Sequence, residues 1–308
     1  MPNYYIRLIG PGSRGRRVVG SLLRDTLDVL VRGSSGAVRL RFEGKSGGPG
    51  RTPRWVGVAA QFEFLGLREG STVIELEAPA FGDVIENQLA QEEMFDEVPR
   101  DASGLGLFRE SLEDALAGTI DSDHFDPELL ETIQGWSEVL SQGIKEIEFG
   151  NATGAVTRIA QPQLDTAKRL RRETPPPQRV RVTGWLDAIR HHDRMFTLKL
   201  EDGTTLRGIA EGVQPETLGA LFGKKATVSA MAVFRPSGRV LRLEADHIEH
   251  GGEDFSLWSA EPQPLDQPLD ERALRQPQGP RSGLNAIIGQ WPGDETDEEI
   301  FRALEDLS

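Results

Sequence analysis

Residues 178–250 constrain the fold more tightly than any other part of the chain, because their apolar residues alternate and their turns are spelled out. In "RVRVTGWLDAI" the residues Val180, Val182, Gly184 and Leu186 fall on one face, the period of a strand. "RMFTLKLEDGTTLRGIA" predicts a hairpin around Asp202-Gly203, a pair that favours a type I′ turn. "PETLGALFG" predicts one short helix, and "KATVSAMAVFRPSGRVLRLEADHI" a second hairpin around Pro236-Ser237-Gly238.

Five strands with one helix between the third and fourth is the outline of a small β-barrel of the OB type. An SH3-like barrel shares the strands but usually lacks that helix. The same pattern assigns Phe196 and Phe234 to the barrel core.

The first 153 residues predict a different module. Tyr4–Ile9 alternates as a strand, and Val18–Val31 carries Val19, Leu22, Leu23, Leu27, Leu30 and Val31 at helical spacing. Val38–Phe42 reads as a second strand, Lys45–Pro53 as a basic Gly-rich loop, Trp55–Leu67 as helix or strand, and Ser71–Ala78 as a strand. Ser103 is the expected N-cap of a helix that runs to Gly118. Asp126 is the expected cap of a second, with Pro127 in its first turn and Gly143 at its end, and Ile144–Phe149 follows as a strand. The fold class is therefore α+β: an α+β domain over 1–153, a connecting helix (Ala155–Arg172) and Pro linker over 154–177, an OB-like barrel over 178–250, a Pro- and Gln-rich disordered linker over 251–283, and a tail over 284–308 ending in a short helix.

Composition narrows the function classes. No run approaches the length of a membrane helix, and "MPNYYIRLIGPGSRGRR" lacks the apolar core of a signal peptide. The chain has no cysteine, so disulfides, thiolate metal sites and cysteine nucleophiles are excluded, which fits a cytoplasmic protein. The net charge of −14 is uneven: residues 1–54 hold eleven Lys/Arg against three Asp/Glu, whereas residues 61–150 hold four against twenty-two. The basic front, with Arg14, Arg16 and Arg17, could meet a phosphate backbone. The plainer expectation is that it docks on the acidic middle of its own chain.

Several motifs suggest chemistry and then fail on context. "GPGSRG" at 10–15 matches GxGxxG between a strand and a helix, but the strand–helix alternation of a dinucleotide fold does not continue. His191, His192, His247 and His250 lack a ligand spacing and read as exposed loop residues. Asp121, Asp123 and Asp126 imitate a calcium loop without its glycine and closing glutamate. No catalytic arrangement, cofactor or metal site is expected, so the chain reads as a binding protein rather than an enzyme. Trp185 and a set of basic residues on the barrel (Arg181, Arg194, Lys199, Arg207, Arg235, Arg239, Arg242) make single-stranded nucleic acid an alternative partner.

The tail is the most explicit binding element. Thr296 and Glu299 form a capping box, and Asp294, Glu295, Asp297 and Glu298 crowd the positive end of the helix they start. Ile300, Phe301, Leu304 and Leu307 share one face of that helix. Upstream, Leu284, Ile287 and Ile288 form a second apolar cluster, and Trp291 precedes the Pro292-Gly293 break. A helix this short is marginal alone in water, so these side chains are expected to bury against a partner, with Trp291 and Phe301 as anchors, the alternative being that they dock back onto the chain's own modules.

"IIGQWPGDETDEEIFRALEDLS" resembles the C-terminal segment of bacterial antitoxins that pair with PIN-domain ribonuclease toxins, in which a W-P-G-D-E core precedes a small acidic helix. The barrel together with the tail also resembles an uncharacterised family of bacterial proteins. The resemblance implies that the tail covers the acidic, metal-binding groove of such a toxin, with Arg302, the only basic residue after Trp291, either approaching its acids or pairing along its own helix with Asp306 or Glu298. The first 250 residues depart from the family, showing no DNA-binding pattern of the ordinary antitoxins.

Overall fold

The computed structural model describes residues 3–265, apart from 12–14, 16, 49–51, 69–71, 87–88, 90–97, 153, 191–193 and 252–257. The N-terminal module is a five-stranded antiparallel sheet with helices on one face. Its strands are β1 (Asn3–Ile9), β2 (Glu63–Arg68), β3 (Thr72–Glu77), β4 (Glu146–Asn151) and β5 (Val156–Ile159), in the order β2-β3-β1-β4-β5. Strand β1 is central, with Ile6 opposite Ile74 on one side and Phe149 on the other. Its alternate residues Tyr4, Ile6 and Leu8 are buried, as the two-residue period requires. Both neighbours of β1 run antiparallel to it, so the parallel βαβ unit that a dinucleotide-binding GxGxxG needs is not formed here.

The covering helices are α1 (Gly20–Glu43), α2 (Arg54–Ala59), α3 (Phe81–Val84), α4 (Gly104–Ala117), α5 (Pro127–Gln134), α6 (Trp136–Ser141) and α7 (Gln161–Glu173). Two expected caps are present. Ser103 accepts from the Gly106 amide at the start of α4, and Asp126 accepts from the Leu129 amide at the start of α5.

Three assignments differ from the sequence reading. Val38–Phe42 is the last part of α1, not a strand. The intervening Gly33-Ser34-Ser35-Gly36 looks like a break but continues the helix, because Phe108 of α4 and Leu129 of α5 cross over it. A Cβ at Gly33 would lie 2.2 Å from the Phe108 ring, so the residue is small for close approach and not for a turn. The helix expected from Asp126 to Gly143 is divided at Gly135 into α5 and α6. The connecting helix expected over Ala155–Arg172 is strand β5 followed by α7, whose Leu164, Ala167 and Leu170 belong to the N-terminal core. The ambiguous Trp55–Leu67 is both elements, α2 and then β2.

The second module is a closed barrel of β6 (Gln178–Arg190), β7 (Met195–Lys199), β8 (Thr205–Ile209), β9 (Lys225–Phe234) and β10 (Val240–His250), with α8 (Pro215–Leu221) between β8 and β9. The circuit β6-β7-β8-β10-β9 closes through the parallel pair β8–β10 and the antiparallel pair β9–β6. That connectivity is the OB type expected. Phe196 and Phe234 are buried in its core with Val182, Leu198, Val228 and Leu243.

The Asp202-Gly203 hairpin is not a type I′ turn. Its Gly203 amide donates to the Leu200 carbonyl and only Gly203 has positive φ, which makes a type I turn closed by a left-handed glycine. Gly238 closes the second hairpin in the same way. Part of the segment expected as a disordered linker is packed on the barrel. Glu261 accepts from the Val240 amide at 2.8 Å, Gln178 donates to the Gln263 carbonyl at 2.8 Å, and the Leu265 amide donates to Gln178 at 3.0 Å.

Candidate functional site

The residues predicted to bind a partner, Leu284, Ile287, Ile288, Trp291, Ile300, Phe301, Arg302, Leu304 and Leu307, lie outside the described residues. So do Arg14, Arg16, His191 and His192. Arg17 is exposed. The basic front meets the acidic middle at two described places, Arg7 with Glu148 at 2.8 Å and Arg41 with Glu110 at 3.7 Å. Arg24, Arg32 and Arg39 pair with acids of their own helix.

The larger electrostatic feature is the seam between the two modules. OB barrels take up oligonucleotides and oligosaccharides on the face of their second and third strands, between the loop joining strands one and two and the loop joining four and five. In this barrel that face is β7 and β8, and the second loop is 235–239. The N-terminal module covers one end of it, at Met195 and Ile209, while Lys199, Thr205 and Arg207 are exposed. Helix α1 ends at Gly44, whose left-handed conformation caps the helix and lets its backbone approach Ile209 and Met195. Arg190, buried at the end of β6, donates to the Phe42 carbonyl, one of the last acceptors of α1, where a cation is favoured. Lys45 reaches Glu211 at 2.6 Å.

The loop 120–126 completes the contact. Ile120 accepts from the Ser237 amide at 3.2 Å, Asp121 accepts from the Ser237 hydroxyl, and Asp123 pairs with Arg235. Asp126 is the hub. While its carboxylate caps α5 through the Leu129 amide at 3.0 Å, it also accepts from the Ser46 amide at 3.0 Å, the Ser46 hydroxyl, and Arg242 of β10 at 3.1 Å. Asp126 and Arg242 are both buried, and Arg242 is held from its other side by Glu244 at 2.9 Å. A buried carboxylate with this many donors is fully compensated, so removing its cation leaves an unpaired interior charge. Nearby, Glu128 titrates above the ordinary glutamate range, first because burial disfavours its charge and then because Asp126 repels it.

A narrow cleft, partly open to solvent, runs along the seam and is lined by Arg41, Arg190, Arg207, Arg242 and Asp123 over Leu40, Ile209 and Leu241. The acids and carbonyls named above already engage Arg41, Arg190 and Arg242, so this cluster chiefly joins the modules. The sequence marks it only faintly. Arg242 interrupts the buried run Val240–Leu243, and the three aspartates of "DSDHFDPE" are the acids that meet the barrel. Among the described residues no group of three or more His, Cys, Asp or Glu is placed to hold a metal, and no helix is long and apolar enough to cross a membrane.

Elsewhere the barrel surface is aromatic and basic. Trp185 is 42% exposed, lies between Lys199 and Lys225 in the strand register, and has the Lys225 ammonium 5.5 Å from its ring centre. Arg181 stands over Trp258 at 5.0 Å. No family model, curated protein or solved structure matches this chain.

Proposed function

We propose that the chain is a non-enzymatic, cytoplasmic, antitoxin-like binding protein whose segment 284–308 neutralises a PIN-domain ribonuclease. The sequence of that segment motivates the reading. One structural observation supports it over its main competitor: the chain's own helix α1 ends against the barrel face that would ordinarily take up a nucleic-acid strand and covers its Met195–Ile209 end. On this reading the two modules act as a scaffold and recognition passes to the tail. Trp291 and Phe301 anchor it in an apolar groove, and Arg302 approaches the acids that hold the toxin's metal ions. The test is a ribonuclease assay with a purified PIN-domain toxin. The full chain is expected to suppress cleavage, and a chain ending at residue 283 to have no effect while melting at the same temperature. Equal suppression by both chains, or by neither, overturns the reading.

A second reading rests on the tryptophans at the barrel surface. Trp185 and Trp258, each with a cation over its ring, are the interleaved aromatic and basic groups that bind single strands by stacking. It expects single-stranded RNA or DNA to bind with a steep salt dependence that survives removal of the tail and is lost in Trp185→Ala.

A further inference from the structure

We propose that two copies of this chain associate through the open edge of the N-terminal sheet, with β2 pairing antiparallel to the β2 of the second copy about a two-fold axis. Strand β2 is outermost in the sheet, and no described strand pairs with its outer side. An outer strand presents unpaired backbone N–H and C=O groups to any strand that arrives. Here it also presents apolar side chains: Phe64 is 46% exposed and Leu65 54%. Beneath them Phe64 lines an open groove with Phe62, Leu27 and Val31, the last itself 54% exposed. An apolar edge above an apolar groove is a surface that a second polypeptide completes.

The residues of β2 specify which polypeptide. The strand reads Glu63-Phe64-Leu65-Gly66-Leu67-Arg68. Reversed against itself, it sets Glu63 opposite Arg68 of the other copy, Phe64 opposite Leu67, and Leu65 opposite Gly66. In a regular strand residues 63 and 68 would face opposite ways, and this pairing would fail. The bulge at Leu65 corrects the phase. Across from β3, Phe64 stands opposite Leu76 and Leu67 opposite Ile74, which places both on the core face. Glu63 and Gly66 stand opposite Glu77 and Glu75, and Arg68 pairs with Glu75 at 3.5 Å, which places these on the other face. The pairs Glu63 with Arg68 and Phe64 with Leu67 therefore match face to face in the two-fold arrangement, and Glu63 and Arg68 form two ion pairs across the axis. Such an isologous interface is the commonest way for a chain to pair with itself.

Light scattering of the full chain after gel filtration, at roughly 100 µM so that any pair tighter than about 10 µM is populated, tests this. The expected mass is twice the 33.9 kDa of one chain. Leu65→Lys is expected to weaken association at least tenfold, lowering the average mass towards that of a single chain with unchanged circular dichroism. Glu63→Arg and Arg68→Glu are each expected to be single chains, because each brings like charges together across the axis. An equal mixture of the two is expected to recover the doubled mass, because the mixed pair is again complementary. If Arg68→Glu disturbs the fold by repelling Glu75, Leu65→Lys and Glu63→Arg decide the matter. A single-chain mass for the unaltered protein overturns the proposal, including the case in which another strand or another polypeptide covers Phe64 and Leu65. So does a doubled mass that Leu65→Lys and the charge reversals leave unchanged, or one that the mixture fails to recover.

Discussion

The two modules solve the problem of strand edges in opposite ways. The barrel closes on itself, joining β8 to β10 and β9 to β6, so its strand edges satisfy one another. The N-terminal sheet stays open and ends in β2, which exposes Phe64 and Leu65. The difference decides where each module can bind. A closed barrel offers a face, and this one sets one end of its usual binding face, at Met195 and Ile209, against the end of helix α1. An open sheet offers an edge, and this one faces outward. The seam is accordingly polar and charge-paired, with Asp126, Arg242 and Ser46 at its centre, whereas the edge is apolar with a charge at each end of the strand.

The strongest way to break the comparison is Arg242→Met. It keeps the bulk of the side chain but leaves the buried Asp126 carboxylate without its cation. The expected loss is about 3 kcal/mol, at the low end for one partner of a buried pair because Ser46 and Leu129 still donate to Asp126. Denaturant unfolding measures it, and a loss below about 1 kcal/mol would place the seam in the class of exposed ion pairs.

How far the sequence exposes this arrangement differs between the modules for physical reasons. The barrel is legible because alternation and turn chemistry are local. Val180, Val182, Leu186, the two glycine-closed hairpins and the helix at Pro215 fix strand number, order and core together. The turn type alone escapes, because Asp202-Gly203 supports either a type I′ turn or a type I turn with a left-handed glycine. The N-terminal module is harder. Gly33 and Gly36 look like a break yet lie within α1, and the reason, Phe108 lying over Gly33, is 75 residues away. Asp126 is legible as a helix cap, but its partner Arg242 is 116 residues distant, and no local pattern announces that pairing. The bulge that gives β2 its matching faces appears only in the register with β3. The tail and two of the three candidate phosphate-binding arginines fall outside the described residues.

Smaller changes sharpen the comparison within the N-terminal module. Ser103→Ala removes the cap of α4 and the hydrogen-bond partner of the buried Tyr4 hydroxyl, which lies 2.9 Å away. The expected cost is about 1 kcal/mol in unfolding free energy. Association through β2 should be unaffected, since Ser103 belongs to the core side of the sheet.

The smallest expected effect is at Glu128. Its carboxyl is raised above the ordinary value of 4.5, so the folded protein holds that proton more tightly than the unfolded chain does. The contribution favours folding below the unfolded value and is lost as the pH rises through the folded one. Glu128→Gln is therefore expected to stabilise the protein slightly at neutral pH, by at most about 0.5 kcal/mol because the side chain reaches solvent. The advantage should shrink to nothing below about pH 4.5. Melting temperatures of the two proteins between pH 4 and 8 check the sign.

Hydrogen exchange of the full chain, read by mass spectrometry at low and high protein concentration and with or without single-stranded RNA, tests the inward barrel and outward edge together. The account predicts that peptides covering 120–126 and 195–209 are protected at every concentration and unchanged by RNA, while the peptide covering 63–68 gains protection as concentration rises. RNA-induced protection of 195–209, or exchange at 63–68 that is indifferent to concentration, would contradict it.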